Sequence, residues 1–218
     1  MDGAQRGMSA QDMLDRYAPL FAPNTVAVVG ASSSGSGRQN VFIRRIRDLG
    51  FGGTIYPIHP TAREIDGLPA YPSLGATPQP IDYAFIGITG AAVPDVLAAG
   101  AGRVRFAQVI SSGFGETEGG MVLQERLVAT ARAGGMRLLG PNCLGIYTPR
   151  GRITFTETRT QEVGPIGIIS QSGGLGTDIV RRGTIRGLRF SGVVTLGNCA
   201  DLGASDLLEF YLADPQTR

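Results

Sequence analysis

Short apolar runs recur along this chain, each closed by Gly, Pro, Asn or Asp and set apart from the next by an amphipathic stretch. The first is Thr25 to Val29, ending at Gly30. A segment from Arg38 to Leu49 follows, with Val41, Phe42, Ile46 and Leu49 at helical spacing, Arg44, Arg45 and Arg47 on the wetter positions, and Gly50 to close it. Thr54 to Ile58, Ile81 to Ile88, Phe106 to Ile110 and Arg137 to Leu139 continue the series as strands, with helices predicted over Val93 to Ala99 and Gly120 to Ala133. Strand, helix, strand at this rhythm predicts a parallel sheet with right-handed crossovers. The 33 Gly and 13 Pro suit such an alternation and argue against a helical bundle, and the glycines lack the period of collagen.

Pro141 to Gly164 shows no period, is rich in Thr, Pro and Gly, and reads as a linker region. A second unit starts afresh with Pro165 to Ile169 as a strand, Gly174 to Arg186 as a helix, Phe190 to Leu196 as a strand and Ser205 to Leu212 as a helix. Two strands and two helices are too few for a complete parallel-sheet domain, so only part of a second domain is expected. Its last strand is then expected to be an unpaired edge, and the chain to associate or to be locally disordered beyond about residue 165. The division this gives is an N-terminal extension over 1–20, a first domain over 21–150 and a partial second domain over 151–218.

Composition removes several functions. At 218 residues, 42% hydrophobic and 17% charged, the chain can bury a core as one or two domains. All 20 Lys+Arg positions are Arg, which excludes a Schiff-base lysine and the lysine of a Walker A loop. One His and two Cys, Cys143 and Cys199, cannot complete a four-ligand His/Cys zinc site, so no metal is expected. The net charge of +2 and the scattered arginines give no basic stripe for nucleic acid. Acids in the first twenty residues argue against a secretory signal, and Gly90, Pro94 and Asp95 break the most apolar region, Ala84 to Gly102, as a membrane span. Reduced cysteines in a cytoplasmic protein are the expectation.

Two turns have the shape of anion sites. After Val26 to Val29 the chain runs Gly30-Ala-Ser-Ser-Ser-Gly35-Ser-Gly37 into a helix, a loop whose small side chains let backbone N–H groups close on a phosphate at the helix start. The spacing departs from the dinucleotide fingerprint, and the second strand ends in Ile58-His59-Pro60 without the acid that grips a ribose diol, which speaks against NAD. A tight turn with no ligand is the alternative. The second turn, Ser170-Gln-Ser172-Gly173-Gly174, resembles a nucleophile elbow with Ser for its first Gly, but the one His, His59, lies upstream where a triad of that fold would need it downstream. An anion cradle is the better reading, with Ser172 as a plain helix cap the alternative.

The motifs VGASSSGSG, YPIHP, YPSL, SSGFGE, GPNCLG, GIISQSGGLG and LGNCADL…DLLEFYLADPQT, in that order from about Phe21 onward, resemble the nucleoside-diphosphate-forming acyl-CoA synthetases, relatives of the succinyl-CoA synthetase α subunit. The resemblance implies an α/β fold: a Rossmann-like CoA-binding domain with a parallel sheet, then the first half of a flavodoxin-like domain. It implies that Gly30, Ala31, Ser32 and Ser33 face the CoA phosphates. His59 and Pro60 stand where the family has Asn-Pro followed by a basic residue; Thr61 replaces that residue, leaving Arg38 or Arg63 for the 3′-phosphate. Ile88, Ile110, Ser111, Ser112, Gly113 and Phe114 would line the same crevice. Asn142 and Cys143 would bring the thiol end towards the second domain, with Cys143 a small packed residue and not a nucleophile.

Ser172, Gly173 and Gly174 would cradle phosphate, and no residue of this chain is assigned a catalytic role. In the family a phosphohistidine from the downstream half of the second domain ferries the phosphoryl group. The implied function is the CoA-binding portion of a ligase converting carboxylic acid, CoA and ATP to acyl-CoA, ADP and phosphate. ATP and Mg would enter only through an ATP-grasp domain or subunit. A non-catalytic module sensing CoA or acyl-CoA is the alternative, and an NAD oxidoreductase the weakest. The acyl substrate is not legible, and a homo-oligomer is left open.

Overall fold

The computed structural model describes residues 8–158 and 160–218. In chain order the elements are α1 (Ala10–Phe21), β1 (Thr25–Val29), α2 (Arg38–Asp48), β2 (Thr54–Ile58), β3 (Glu64–Ile65), β4 (Leu68–Pro69), β5 (Ile81–Ile86), α3 (Val93–Ala98), β6 (Val104–Val109), α4 (Met121–Ala133) and β7 (Arg137–Leu139). They continue as β8 (Ile146–Tyr147), β9 (Ile166–Ser170), α5 (Gly173–Ile185), β10 (Phe190–Thr195) and α6 (Ala204–Ala213).

Five strands form a parallel sheet in the order β2-β1-β5-β6-β7. β1 lies inside it with both faces covered, so all five residues of its TVAVV run are buried, with none of the alternation of a half-wet strand. Alternate residues nevertheless divide the core. Val26 and Val28 pack with Phe42, Ile43 and Ile46 of α2 and with Phe85 and Phe106. Ala27 and Val29 face Val93 and Leu97 of α3 and Leu127 of α4. Because β5 returns beside β1 after β2 has been laid on its other side, the strand order reverses between them. A crevice opens above their carboxyl ends at that point, where open α/β sheets bind ligands.

The second sheet has the order β8-β10-β9, with β9 parallel and β8 antiparallel to β10. The expectation of an unpaired last strand is corrected here. β10 is the central strand and all six of its residues are buried, while the open side belongs to β9, whose Ile166 to Ile169 are half-buried. The physical reason is β8: two residues inside the segment read as linker pair with Val193 and Val194, and a strand so short carries no period to reveal it. The hairpin β3–β4 was likewise absent from the expected elements. Asp66 and Gly67 join its strands with φ of 51° and 76°, the two positive-φ residues a type I′ turn needs.

Of the extension read over 1–20, residues 1–7 lie outside the described residues. Helix α1 covers most of the rest and starts with a reciprocal cap, Asp12 N–H to Ser9 Oγ at 3.1 Å and Ser9 N–H to Asp12 Oδ2 at 3.2 Å. It buries Tyr17, Leu20 and Phe21 between the first sheet and α6. The Phe21 ring stacks on Phe210 with centroids 3.9 Å apart, and the Thr148 hydroxyl donates to the Phe21 carbonyl at 2.7 Å. Full burial of each such ring contributes about 1.5–3 kcal/mol.

The second unit is also held to the first by charge. Asp201, ahead of α6, accepts from the backbone N–H of Leu138, from Arg137 at 2.9 Å and from Arg132 at 3.0 Å. Burial pulls the Asp201 carboxyl up, but these donors outweigh it and hold it below the usual carboxylate range. Both cysteines are free thiols. Among the described residues no helix is long and apolar enough to cross a membrane.

Candidate functional site

A cavity of about 640 Å³ occupies the crevice at the strand reversal. Gly30, Ala31 and Ser32 after β1, His59 and Pro60 after β2 and Ile88 after β5 all border it, so six residues singled out in the sequence meet in one place. Its apolar walls come from Ile58, Leu74, Ile88 and Val96. Gly30 has φ +96°, and a Cβ there would collide with the Gly87 carbonyl oxygen and lie 2.9 Å from Ile88 Cγ2. The loop can therefore cross the strand ends only with glycine at this point.

The loop is fixed by a residue that the sequence reading missed. The Asn40 side chain is fully buried; its Oδ1 accepts from Ser32 N–H at 2.8 Å, and its Nδ2 donates to the Ser32 carbonyl at 2.9 Å and to Asp66 Oδ2 at 3.1 Å. Nothing distinguishes it in sequence from a solvated helix-start Asn. Ser34 N–H turns back to Ser32 Oγ and Gly35 N–H to the Ser32 carbonyl. The amides of Ser33, Arg38, Gln39 and Asn40 find no hydrogen-bond partner among the described residues.

The start of α2 differs from those of α1 and α6. Those two carry an acid in the first turn, Asp12 and Asp206, that accepts from the backbone N–H of Ser9 or Gly203. Helix α2 has Gly37 as its N-cap, no side-chain cap and no acid in its first turn, and Arg38 is its first residue. Free amides, the positive end of the helix and small residues in front of it make this the arrangement that takes an anion.

His59 is occupied as a turn cap. Its Nδ1 accepts from the amides of Thr61 at 3.2 Å and Ala62 at 3.0 Å, which places the ring proton on Nε2. Arg63 follows that turn with its side chain exposed and is not among the residues that line the cavity. Arg38 is not with the others either: it borders a second cavity on the α2 side, together with Ile110.

In the SSGFGE segment, the Ser111 hydroxyl donates to the Ile88 carbonyl and Glu116 accepts from the amides of Gly113 and Phe114. Ser112 and Gly113 are exposed. Phe114 as a crevice-lining side chain is corrected: it is fully buried among Val93, Leu97 and Leu127, because its Gly neighbours let the chain turn the ring into the core. Glu116 also accepts from the Asn198 side chain across the boundary with the second unit. Burial pushes its carboxyl up, and the Asn198 amide and the turn N–H groups outweigh that and hold it below the usual range.

Asn142 is exposed in the left-handed region, φ +56°, and donates its N–H to the Ser111 carbonyl at 3.0 Å, which ties the GPNCLG turn to the crevice. Cys143 is buried and its Sγ lies near the carbonyls of Leu139 and Val109; burial pushes its thiol up to about 12, which disfavours the thiolate.

At the start of α5, Ser172 is the N-cap, its Oγ accepting from Leu175 N–H at 3.2 Å. The hydroxyl caps the helix as an acceptor and keeps its O–H as a donor. The amides of Gly173 and Gly174 find no partner among the described residues, and again the first turn holds no acid.

Comparison with known proteins places both units in known families. Residues 24–149 match the family model of the CoA binding domain, and residues 163–218 that of the succinyl-CoA ligase like flavodoxin domain. The α subunit of acetate–CoA ligase (ADP-forming) I of Pyrococcus furiosus is 39% identical over 207 residues, which cover 91% of this chain and 45% of that subunit. Acetate–CoA ligase (ADP-forming) I of Archaeoglobus fulgidus is 38% identical over 201 residues, 91% of this chain and 29% of that one. The apo structure of a "dinucleotide forming" acetyl-coenzyme A synthetase 1 from Ca. Korarchaeum cryptofilum superposes with a TM-score of 0.85 at 39% identity, covering 92% of this chain and 44% of that chain. The chain thus spans less than half the length of these relatives. With residues 24–149 of its 218 matched by that model, the chain belongs to the CoA binding domain family, in the form found in NDP-forming acyl-CoA synthetases.

Proposed function

We propose that this chain binds coenzyme A as one part of an ADP-forming acyl-CoA synthetase, the complete enzyme converting a carboxylic acid, CoA and ATP to acyl-CoA, ADP and phosphate. The observation that carries the reading is the acid-free, uncapped start of α2, with unpartnered amides beside an apolar cavity at the strand reversal. The diphosphate lies on Gly30, Ala31, Ser32, Ser33 and the first amides of α2. The adenosine fills the cavity between His59, Pro60 and Ile88. Ser111, Ser112, Gly113 and Asn142 flank the pantetheine on its way to the second unit. Arg63, next to the turn that His59 caps, is the better placed of the two arginines to reach the 3′-phosphate, since Arg38 lines the other cavity.

The Gly173 and Gly174 amides at α5 face a phosphoryl group in transit. An ATP-grasp domain or subunit supplies ATP and Mg. The three units of the reading are residues 1–20, 21–150 and 151–218, with location in the cytoplasm.

Calorimetric titration with CoA, dephospho-CoA and NAD tests this. The expected order is CoA tightest, dephospho-CoA about tenfold weaker for loss of one charge-assisted contact, and NAD weakest. In Arg63→Ala, CoA falls to the dephospho-CoA level. Tightest binding by NAD contradicts the proposal.

A further inference from the structure

The second cavity, about 450 Å³, lies on the α2 face of the first sheet, between Val41, Phe42, Phe85 and Ile110 on one side and Leu144, Phe155 and Thr177 on the other. Phe42 and Phe85 are stacked there with centroids 4.2 Å apart. Arg45, on the rim, is occupied: it donates to the Phe155 carbonyl at 3.0 Å and pairs with Glu157 at 3.2 Å. Among the described residues no acid lines this cavity.

Its position relates it to both anion sites. Ile110 directly precedes Ser111, whose hydroxyl holds the Ile88 carbonyl, and Ile88 borders the larger cavity. On the far side Leu144 rests on the first residue of α5, since a Cβ on Gly173 would lie 2.6 Å from Leu144 Cγ. Thr177 donates its hydroxyl to the Gly173 carbonyl one turn further along. The cavity therefore sits between the crevice and the free amides of Gly173 and Gly174, where a group passed from phosphate to a thiol has to be held.

Resting on the proposed CoA reading, we propose that this cavity holds the acyl group of the thioester and is shaped for apolar acyl groups larger than acetyl. Acetyl would touch only a small part of walls that hold three phenylalanine rings and three aliphatic side chains, with Arg38, Arg45, Thr156 and Thr177 making up the rest of the lining. A ring-bearing acyl group such as phenylacetyl reaches the stacked Phe42 and Phe85.

The test is calorimetric titration of the whole chain with CoA, acetyl-CoA and phenylacetyl-CoA, repeated on Val41→Trp and Thr177→Phe, one from each wall. Phenylacetyl-CoA is expected to bind about tenfold tighter than CoA and acetyl-CoA within about twofold of it. Both variants keep the CoA affinity, which reports that they have folded, and lose the phenylacetyl advantage. Equal affinities for all three ligands overturn the acyl-pocket assignment and leave CoA binding intact. An advantage that survives in both variants overturns it as well. Failure of the chain to bind CoA at all overturns the underlying reading and this inference with it.

Discussion

Gly30 and Asn40 shape the loop at the head of α2, one by lacking a side chain and the other by burying one. Gly30→Ala forces a Cβ onto the Gly87 carbonyl at a φ of +96°. The expected cost is about 1–3 kcal/mol of stability together with at least tenfold weaker CoA binding, read by thermal melting and titration. Asn40→Ala leaves the Ser32 amide and carbonyl without their buried partner. A loss of about 2–3 kcal/mol is expected, with CoA affinity falling in parallel. Gly30 was legible because a strand running into glycine is a pattern. Asn40 was not, because its role depends on a contact eight residues back that no helical or strand period marks. Phe114 was placed in the crevice lining by family resemblance alone, and only the core that receives its ring shows otherwise. The two cysteines separate chemically. A thiol-reactive disulfide reagent at about pH 8 is expected to label exposed Cys199 and to spare buried Cys143 until the protein unfolds.

Strands with a full apolar run and helices with an amphipathic face were read directly from residue pattern, as β1, β2, α2, β9 and α5 illustrate. The two-residue strands were not, since β8 takes its identity from its partner β10 and not from its own sequence. Helix α1 carries a cap and an apolar face, yet its importance lies in what it touches, the aromatic stack with α6. Phe210→Ala empties that stack and is expected to destabilise by about 3–5 kcal/mol in chemical denaturation.

At the same interface, Arg137→Ala takes one of two arginines from Asp201 and leaves it Arg132 and the Leu138 N–H, at an expected cost of about 1.5–3 kcal/mol. The sign of the pH effect follows from the lowered carboxyls of Asp201 and Asp206, in each of which burial opposes and donors prevail. Their contribution is present above the unfolded value of 3.8 and lost as pH falls through the lower folded values. Acid unfolding of Arg137→Ala is therefore expected to show a shallower dependence on pH below about 4 than that of the unaltered chain.

For the molecule as a whole, α2 and α5 each start with amides that find no partner among the described residues, and Ile88, Ser111, Ile110 and Leu144 lie at or between the two cavities next to those helix starts. The parallel first sheet and its crevice were legible from strand rhythm and the Gly/Ser turn. The second cavity was not, because its walls come from segments far apart in the chain and meet only when the second unit docks. The measurement that bears most directly on all of this is backbone ¹⁵N NMR of the chain during titration with CoA. The result expected is that the amides of Ser33, Arg38, Gln39 and Asn40 shift most and become protected from exchange. Saturable CoA binding that leaves those four amides unmoved contradicts the assignment of the diphosphate to the head of α2.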